Sequence, residues 1–166
     1  MPLADIQDSG QALLAASGLL QYEVSAYSRA GRQSRHNNNY WQFGDYLGIG
    51  AGAHGKVTDL RDGTLLRRWK TRQPSHYLDT DKTVLAGQQA LLPSKLPLEF
   101  LMNALRLSAG VDSALYPQRT GLALAQIHSQ WQQLQDDGLM TRDPQRLQTT
   151  ALGQRFLNSV LERFLS

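Results

Sequence analysis

Residues 35–58 read RHNNNYWQFGDYLGIGAGAHGKVT, and this stretch decides how the first half of the chain folds. It begins with polar residues and three consecutive asparagines. Asparagine side chains favour turns and local hydrogen bonds over helix or sheet, so the polar segment over residues 28–45 predicts an irregular loop. The stretch then becomes rich in glycine over residues 46–55. Such a backbone suits a place that a ligand or another chain segment approaches closely.

The segments on either side of this stretch have clearer secondary-structure signals. After it, two short extended runs over residues 56–60 and 64–70 flank Asp62-Gly63, which is a strong hairpin signal. Before it, the pattern predicts a helix over residues 9–20 and a strand over residues 20–27. A helix and a strand without earlier partner strands are typical of the tail of a larger α/β unit.

The second half of the sequence is mostly helical in pattern. Apolar residues recur at helical spacing near Pro97 and before Gly110, which favours a well-defined helix there. A short hairpin is predicted from residues 139–141 and 147–149, and helix, hairpin and helix in succession resemble a winged-helix arrangement. The predicted helices cover residues 80–92, 96–107, 121–137 and 150–165.

Composition limits the classes of site and location. The chain has 166 residues, of which 41% are hydrophobic, so it can form a core. It has no cysteine, which excludes disulfides, thiolate zinc sites and cysteine-held iron–sulfur clusters within this chain. No apolar stretch is long enough to span a bilayer, and no secretory signal is recognisable, so a cytoplasmic location is expected.

Positive charge is concentrated in one segment although the net charge is only +3. Between residues 29 and 72 the basic side chains far outnumber the three aspartates. Such a segment attracts an anionic partner, and a solvated basic surface is the alternative interpretation. The basic residues are Arg29, Arg32, Arg35, Lys56, Arg61, Arg67, Arg68, Lys70 and Arg72.

His36 begins the first candidate site, because a histidine ring nitrogen can bind heme iron. Tyr40 and Trp41 could stack on a flat, apolar macrocycle, and Asn37 could orient polar groups. The alternative is a structural role, in which His36 and the asparagines satisfy loop backbone groups while Tyr40 and Trp41 anchor the core. Carboxylates such as heme propionates could pair with the arginines just upstream, which are Arg29, Arg32 and Arg35.

The glycine-rich run is the second candidate site. Its glycines would let backbone N–H groups meet a ligand. The spacing fits neither a GxGxxG fingerprint nor a phosphate loop, so a tight strand-to-loop crossing is an equal alternative. The cofactor-binding candidates are Gly48, Gly50, Ala51, Gly52 and His54.

The glutamine-rich helix over residues 121–137 is the third candidate, as a DNA-reading element of a winged helix. It carries no lysine or arginine and ends in Asp136-Asp137. Phosphate contacts need positive charge, so this composition favours a structural or protein-contact role over nucleic-acid binding.

Five segments together resemble the C-terminal half of the HemW-type family of radical-SAM proteins. The most specific part is the HNxxYW pattern followed by YLGIGAGAHG. Members of this family are heme chaperones or, by similarity, oxygen-independent coproporphyrinogen III oxidases. The segments are QYEVSAYS at 21–28, RHNNNYWQFGDYLGIGAGAHGKVT at 35–58, LPLEFLMNALRL at 96–107, RTGL at 119–122 and LNSVLERFL at 157–165.

This resemblance implies a heme site on the HNxxYW positions. They fall on His36, Asn37, Tyr40 and Trp41, with His36 as the axial ligand of the heme iron and Arg35 as a propionate partner. In complete family members an N-terminal partial barrel holds a [4Fe–4S] cluster through three cysteines and binds S-adenosylmethionine. The glycine-rich strand would lie near that cofactor cavity. Because this chain lacks cysteine, it is expected to be a C-terminal piece of such a protein, without radical chemistry of its own.

The expected fold class is α+β in two parts. Residues 1–73 would supply the last elements of a partial (βα) barrel, the HNxxYW loop and a hairpin, and residues 74–166 would form a mostly helical, winged-helix-like domain. The expected function is heme delivery by the parent protein to apo-hemoproteins. The alternatives are a fragment of an oxygen-independent coproporphyrinogen III oxidase of porphyrin biosynthesis, or a winged-helix nucleic-acid-binding module. An exposed barrel edge predicts a homodimer. For the full-length parent protein, peripheral membrane association is a further possible interaction.

Overall fold

A computed structural model describes residues 3–165 and confirms the expected mixture of helices and strands. The α-helices are α1 (Leu3–Ala16), α2 (Arg35–Trp41), α3 (Pro74–Tyr77), α4 (Leu96–Ala104), α5 (Leu115–Thr120), α6 (His128–Asp136), α7 (Ala151–Arg155) and α8 (Leu157–Glu162). The strands are β1 (Leu20–Glu23), β2 (Ala26–Ser28), β3 (His54–Thr58), β4 (Leu65–Lys70), β5 (Leu85–Ala90), β6 (Val111–Asp112) and β7 (Arg146–Leu147). Within residues 3–165, no helix combines the length and apolar character needed to cross a bilayer.

The chain enters its first sheet directly after α1. Gly18 adopts a left-handed conformation with φ 75°, which ends the helix as its sequence position predicts. The single strand predicted over residues 20–27 is wrong, because the chain turns there and β1 pairs antiparallel with β2. The turn is held by Glu23, whose carboxylate accepts hydrogen bonds from both the N–H and the hydroxyl of Ser25 at 3.1 Å.

A three-stranded antiparallel sheet in the order β3–β4–β5 follows the glycine-rich run. The hairpin predicted around Asp62-Gly63 is confirmed as β3 and β4, with Gly63 at φ 76°. The helix predicted over residues 80–92 is wrong, because this segment adds β5 to the free edge of β4. Gly87 lies under the Trp69 ring, where a Cβ atom would collide with the indole. Cross-strand packing therefore determines the secondary structure of this segment, whose helical periodicity is weak.

The second half of the chain forms helices around a small two-stranded sheet of β6 and β7. The helix predicted over residues 96–107 is confirmed as α4, although it ends at Ala104, three residues earlier than expected. Residues 124–127 form one 3-10 turn before α6, so the helix predicted over 121–137 begins later than expected. The predicted hairpin around residue 143 is confirmed by a bridge between Met140 and Thr149.

The final helix predicted over residues 150–165 is broken at Phe156, where φ is −110° and ψ is 35°. Because of this break, α7 and α8 pack against different parts of the protein. Gly153 of α7 lies against the backbone of Leu139, whereas Val160 of α8 is buried in the core and α8 contacts α4. A single straight helix cannot make both contacts, which periodicity alone does not reveal.

One hydrophobic core joins residues from both halves of the sequence. The Phe100 ring lies between Phe43, with 5.7 Å between centroids, and Tyr116, at 5.3 Å. Edge-on aromatic pairs of this kind add to the stability that burial gives. The paired strands β4 and β5 lie before and after residue 73 in the sequence. The domain boundary expected at residue 73 stays a prediction.

Gly153 offers a direct test of the α7 packing. Replacing it with alanine places a methyl group against the Leu139 carbonyl, so we expect Gly153→Ala to lower the free energy of unfolding by about 1–3 kcal/mol. Gly10→Ala in α1 is the matched control. No atom lies within 4 Å of its added methyl, and helix propensity should raise stability by up to about 1 kcal/mol. Urea unfolding followed by circular dichroism checks both, and equal midpoints would contradict this packing.

Candidate functional site

The HNxxYW positions lie on α2, so the irregular loop predicted over residues 28–45 is wrong in its centre. Ser34 caps the helix, since its hydroxyl accepts the N–H of Asn37 at 3.2 Å. Asn38 donates to the side chain of Gln33 at 3.1 Å, and Asn39 donates to the Asp45 carbonyl at 2.9 Å. The asparagines therefore bind the two flanks of the helix instead of competing with its backbone hydrogen bonds.

His36 and Tyr40 are four residues apart on α2 and share one face of it. His36 and Arg35 are exposed, and neither side chain has a hydrogen-bond or ion-pair partner among the described residues. Asn37 and Tyr40 are half-buried. The face thus presents a free imidazole next to a phenol ring, with a free guanidinium beside it. These groups could bind a metal-containing anionic ligand.

Trp41 is enclosed by protein on two sides. The edge of Tyr40 meets it with 4.7 Å between ring centroids, and the Arg106 guanidinium lies 4.5 Å from its ring centre. Its indole N–H is buried without a hydrogen-bond partner among residues 3–165. These contacts favour the anchoring role for Trp41 that the sequence left open, because the ring is committed to internal packing.

Arg106 is held over Trp41 by Glu23, which is only 2% exposed. The Arg106 Nε donates to the Glu23 carboxylate at 2.6 Å, and a second guanidinium nitrogen lies 2.5 Å from the same oxygen. Nothing in the sequence pattern indicates this pair, since 83 residues separate its members. It links β1 to the end of α4 and fixes one side of α2.

Lys56 fixes the other end of α2 from strand β3. It is 4% exposed, and its Nζ donates to the Phe43 carbonyl at 2.9 Å and lies 3.4 Å from the Asp45 carboxylate. The ammonium also lies 4.1 Å from the centre of the Phe43 ring. Asp45 in turn accepts the N–H of Thr58 at 2.8 Å. Phe43 itself has φ 57°, an unusual conformation for a non-glycine residue that these contacts hold in place.

Burial changes the acid–base properties of this region. Desolvation lowers the pKa of Lys56 below its usual 10.5, and the nearby Asp45 carboxylate opposes that shift. Desolvation also raises the pKa of the Tyr46 phenol, and neighbouring Tyr40 adds to the effect. The Tyr40 and Tyr46 rings lie 5.0 Å apart, so an aromatic contact connects α2 with the start of the glycine-rich run.

The glycine-rich run packs tightly against the backbone at the start of β3 and the end of β4. The Gly50 N–H donates to the Tyr77 hydroxyl at 3.0 Å, and the Gly52 N–H donates to the Thr71 carbonyl at 2.7 Å. A Cβ atom at Gly48 would collide with the backbone of His54. Two of the N–H groups proposed for a cofactor are therefore used within the protein. This favours the alternative in which the run is a tight strand-to-loop crossing. Ala51 and the His54 side chain are exposed, and cofactor binding by this set stays a prediction.

No bare metal site accompanies these residues in the described part of the chain, where no three His, Asp or Glu side chains cluster suitably.

The buried Lys56 generates a prediction about pH. Lys56→Met removes the ammonium and leaves the Phe43 carbonyl without its partner, so we expect a loss of about 1–3 kcal/mol in unfolding free energy at neutral pH. Because the folded-state pKa of Lys56 lies below 10.5, the unfolded chain binds more protons in the window between the two values. The stability of the wild type relative to Lys56→Met should therefore rise with pH across that window.

Urea unfolding of both proteins at several alkaline pH values measures this difference. Lys82→Met is the matched control, since Lys82 is exposed and forms a surface ion pair with Asp79. A stability difference between wild type and Lys56→Met that stays constant or shrinks with rising pH would show that the ammonium is not desolvated.

Comparison with known proteins shows what the chain resembles. Residues 91–156 match the family model described as the HemN C-terminal domain. "Heme chaperone HemW" of Escherichia coli (strain K12) is 43% identical over 164 residues, which cover 99% of this chain and 43% of that protein. The same-named protein of Haemophilus influenzae is 39% identical, over 99% of this chain and 42% of its own length.

More distant similarities point the same way. "Radical S-adenosyl methionine domain-containing protein 1, mitochondrial" of Bos taurus is 34% identical over 98% of this chain and 39% of that protein. The solved structure of coproporphyrinogen III oxidase (HemN) from Escherichia coli superposes with a TM-score of 0.65 over 97% of this chain and 40% of that chain. Its sequence identity is 18%, so this likeness concerns the fold alone.

The chain spans about two fifths of the length of the relatives that it matches. Its similarity to HemW proteins nevertheless runs over almost every residue and includes both α2 and the helical second half. Over almost its whole length the chain is similar to HemW-type proteins, and its residues 91–156 match the HemN C-terminal domain.

Proposed function

We propose that this chain carries the heme-contacting helix of a heme chaperone. The observation that carries the proposal is the exposed, unpartnered imidazole of His36 on a helix that is fixed to the core at Phe43 and Trp41. The HemW relatives are named heme chaperones, which supplies the ligand class. A free ring nitrogen on a fixed helix is what an axial ligand of heme iron requires.

Each HNxxYW residue has a separate role in this proposal. His36 donates a ring nitrogen to the iron, and Tyr40, one turn further along, packs against the macrocycle from the same face. Asn37 orients polar groups at the helix start, and Arg35 pairs with a propionate as a free guanidinium. Trp41 acts mainly by anchoring α2, because Arg106 and Tyr40 already cover its ring.

The finer architecture forms part of the proposal. The pairing of β1 with residues 106–108 and of β6 with β7, and the helices around them, support a winged-helix-like second half. The elements around α2 would complete a partial barrel in a longer parent. That parent would hold a [4Fe–4S] cluster and S-adenosylmethionine through cysteines outside this chain, since the chain has none. The exposed Ala51 and His54 would then face the cofactor side.

Two alternatives have less support. An oxidase acting on coproporphyrinogen III is the activity named for the structural neighbour, whose identity of 18% is far below the 43% of the chaperone relative. Nucleic-acid binding through α6 would place the acidic end of that helix near phosphates. Asp136 and Asp137 each lie 3.3 Å from an arginine of this chain, which only neutralises that end.

Heme titration tests the role of His36. We expect saturable heme binding with a shifted Soret band, and His36→Ala should weaken it by at least about tenfold and change the spectrum, because it removes the iron ligand. His128→Ala is the matched control, as His128 is also exposed but lies on α6. Identical spectra and affinities for wild type and His36→Ala would overturn the ligand assignment. Equal losses in both variants would indicate unspecific capture by surface histidines.

Self-association is a second expectation of this proposal. Leu47 and Ile49 are 77% and 86% exposed at the start of the glycine-rich run, and Leu13 of α1 is also exposed. Exposed apolar side chains of this size favour pairing between chains. We expect a dimer by light scattering at micromolar concentrations and a shift toward monomer for Leu47→Asp/Ile49→Asp. A strictly monomeric wild type would contradict it. Delivery to apo-hemoproteins, cytoplasmic location and membrane association of a parent stay predictions.

A further inference from the structure

A cleft of about 670 Å³ lies behind α2, on the side away from His36 and Tyr40. Asn38 and Gln42 of the helix line one wall, and the β1–β2 hairpin with the following loop forms the second. The third wall is the turn over residues 107–110, together with Arg146. Three separate parts of the sequence therefore meet at one open groove, whose volume falls in the range of ligand sites.

The charge of the cleft has one sign. Arg29 and Arg146 line it, and no aspartate or glutamate is found among its described lining residues. Arg146 binds the Ala109 and Gly110 carbonyls, so it is held in place with its charge uncompensated by a carboxylate. The Arg29 side chain has no hydrogen-bond or ion-pair partner among residues 3–165. A groove with fixed positive charge and no opposing carboxylate attracts anionic groups.

The cleft walls also contain polar atoms that the protein leaves without partners. The Asn38 side-chain oxygen and the Ser108 hydroxyl are buried and make no hydrogen bond within the described chain. Unsatisfied buried polar groups are uncommon because each costs free energy. Both belong to residues that line this cleft, one on α2 and one on the turn over residues 107–110. A ligand that offers hydrogen-bond donors as well as negative charge would satisfy them.

We propose that this cleft binds an extended acidic peptide segment of a partner protein. Carboxylate side chains of the peptide pair with Arg29 and Arg146, and its backbone N–H groups donate to Asn38 and Ser108 after these side chains rotate toward the groove. A small inorganic anion supplies the charge but no row of donors. The cleft stands apart from the His36 face of α2, so this inference does not depend on heme binding.

A labelled hexaglutamate peptide tests the proposal by fluorescence anisotropy with the whole chain. Arg29→Glu should weaken binding by about tenfold or more, because it reverses a charge inside the groove. Arg32→Glu is the matched control: it makes the same change in net charge three residues away, at a side chain that does not line the cleft. We expect Arg32→Glu to alter affinity by no more than about threefold, as screened surface charges do.

Further variants and ligands separate the remaining possibilities. Asn38→Asp should also weaken binding, since it places a carboxylate in the wall, while His36→Ala should leave peptide affinity unchanged. Equal losses for Arg29→Glu and Arg32→Glu would overturn the proposal in favour of a diffuse basic surface. Displacement of the peptide by free glutarate at equal carboxylate concentration, or equally tight binding of a hexathymidylate, would also overturn it, because the cleft would then recognise only negative charge.

Discussion

The buried ammonium of Lys56 is the contact on which the rest of the site depends. It lies in β3, yet it donates to the Phe43 carbonyl just beyond α2 and approaches Asp45. A helix of seven residues is too short to be stable in water by itself, so α2 must gain its order from tertiary contacts. Lys56 supplies the polar part of that order, and the burial of Phe43 against Phe100 supplies the apolar part.

A second long-range contact holds the same helix from the opposite direction. Glu23 orients Arg106, and Arg106 covers the ring of Trp41. The two contacts differ in kind, since Lys56 acts on the backbone after α2 whereas Arg106 acts on a side chain within it. Together they fix both the position and the rotation of α2. A helix held in this way loses little conformational entropy when a ligand binds to its exposed face.

The sequence predicts this structure well where the deciding contacts are local. Asp62-Gly63 specifies its hairpin through turn geometry, and Gly18 ends α1 through its left-handed conformation. Prediction fails where distant residues decide, as in β5, whose partner is β4, and in α2, whose asparagines bind groups outside the helix. In the site, the motif identifies His36 and Tyr40. Periodicity carries no information on Lys56, Glu23 or Arg106, because their roles arise from contacts across the fold.

The exposure of His36 bears on the difference between a carrier and an enzyme. An oxidase must exclude water from a reactive intermediate and therefore needs an enclosed substrate cavity. A carrier must release its cargo to another protein, and a ligand held at an open face can pass directly between two coordinating side chains. In this chain the imidazole is open to solvent while the helix beneath it is rigidly held. In the proposed carrier, this combination of a fixed support and an open face would serve the transfer of heme.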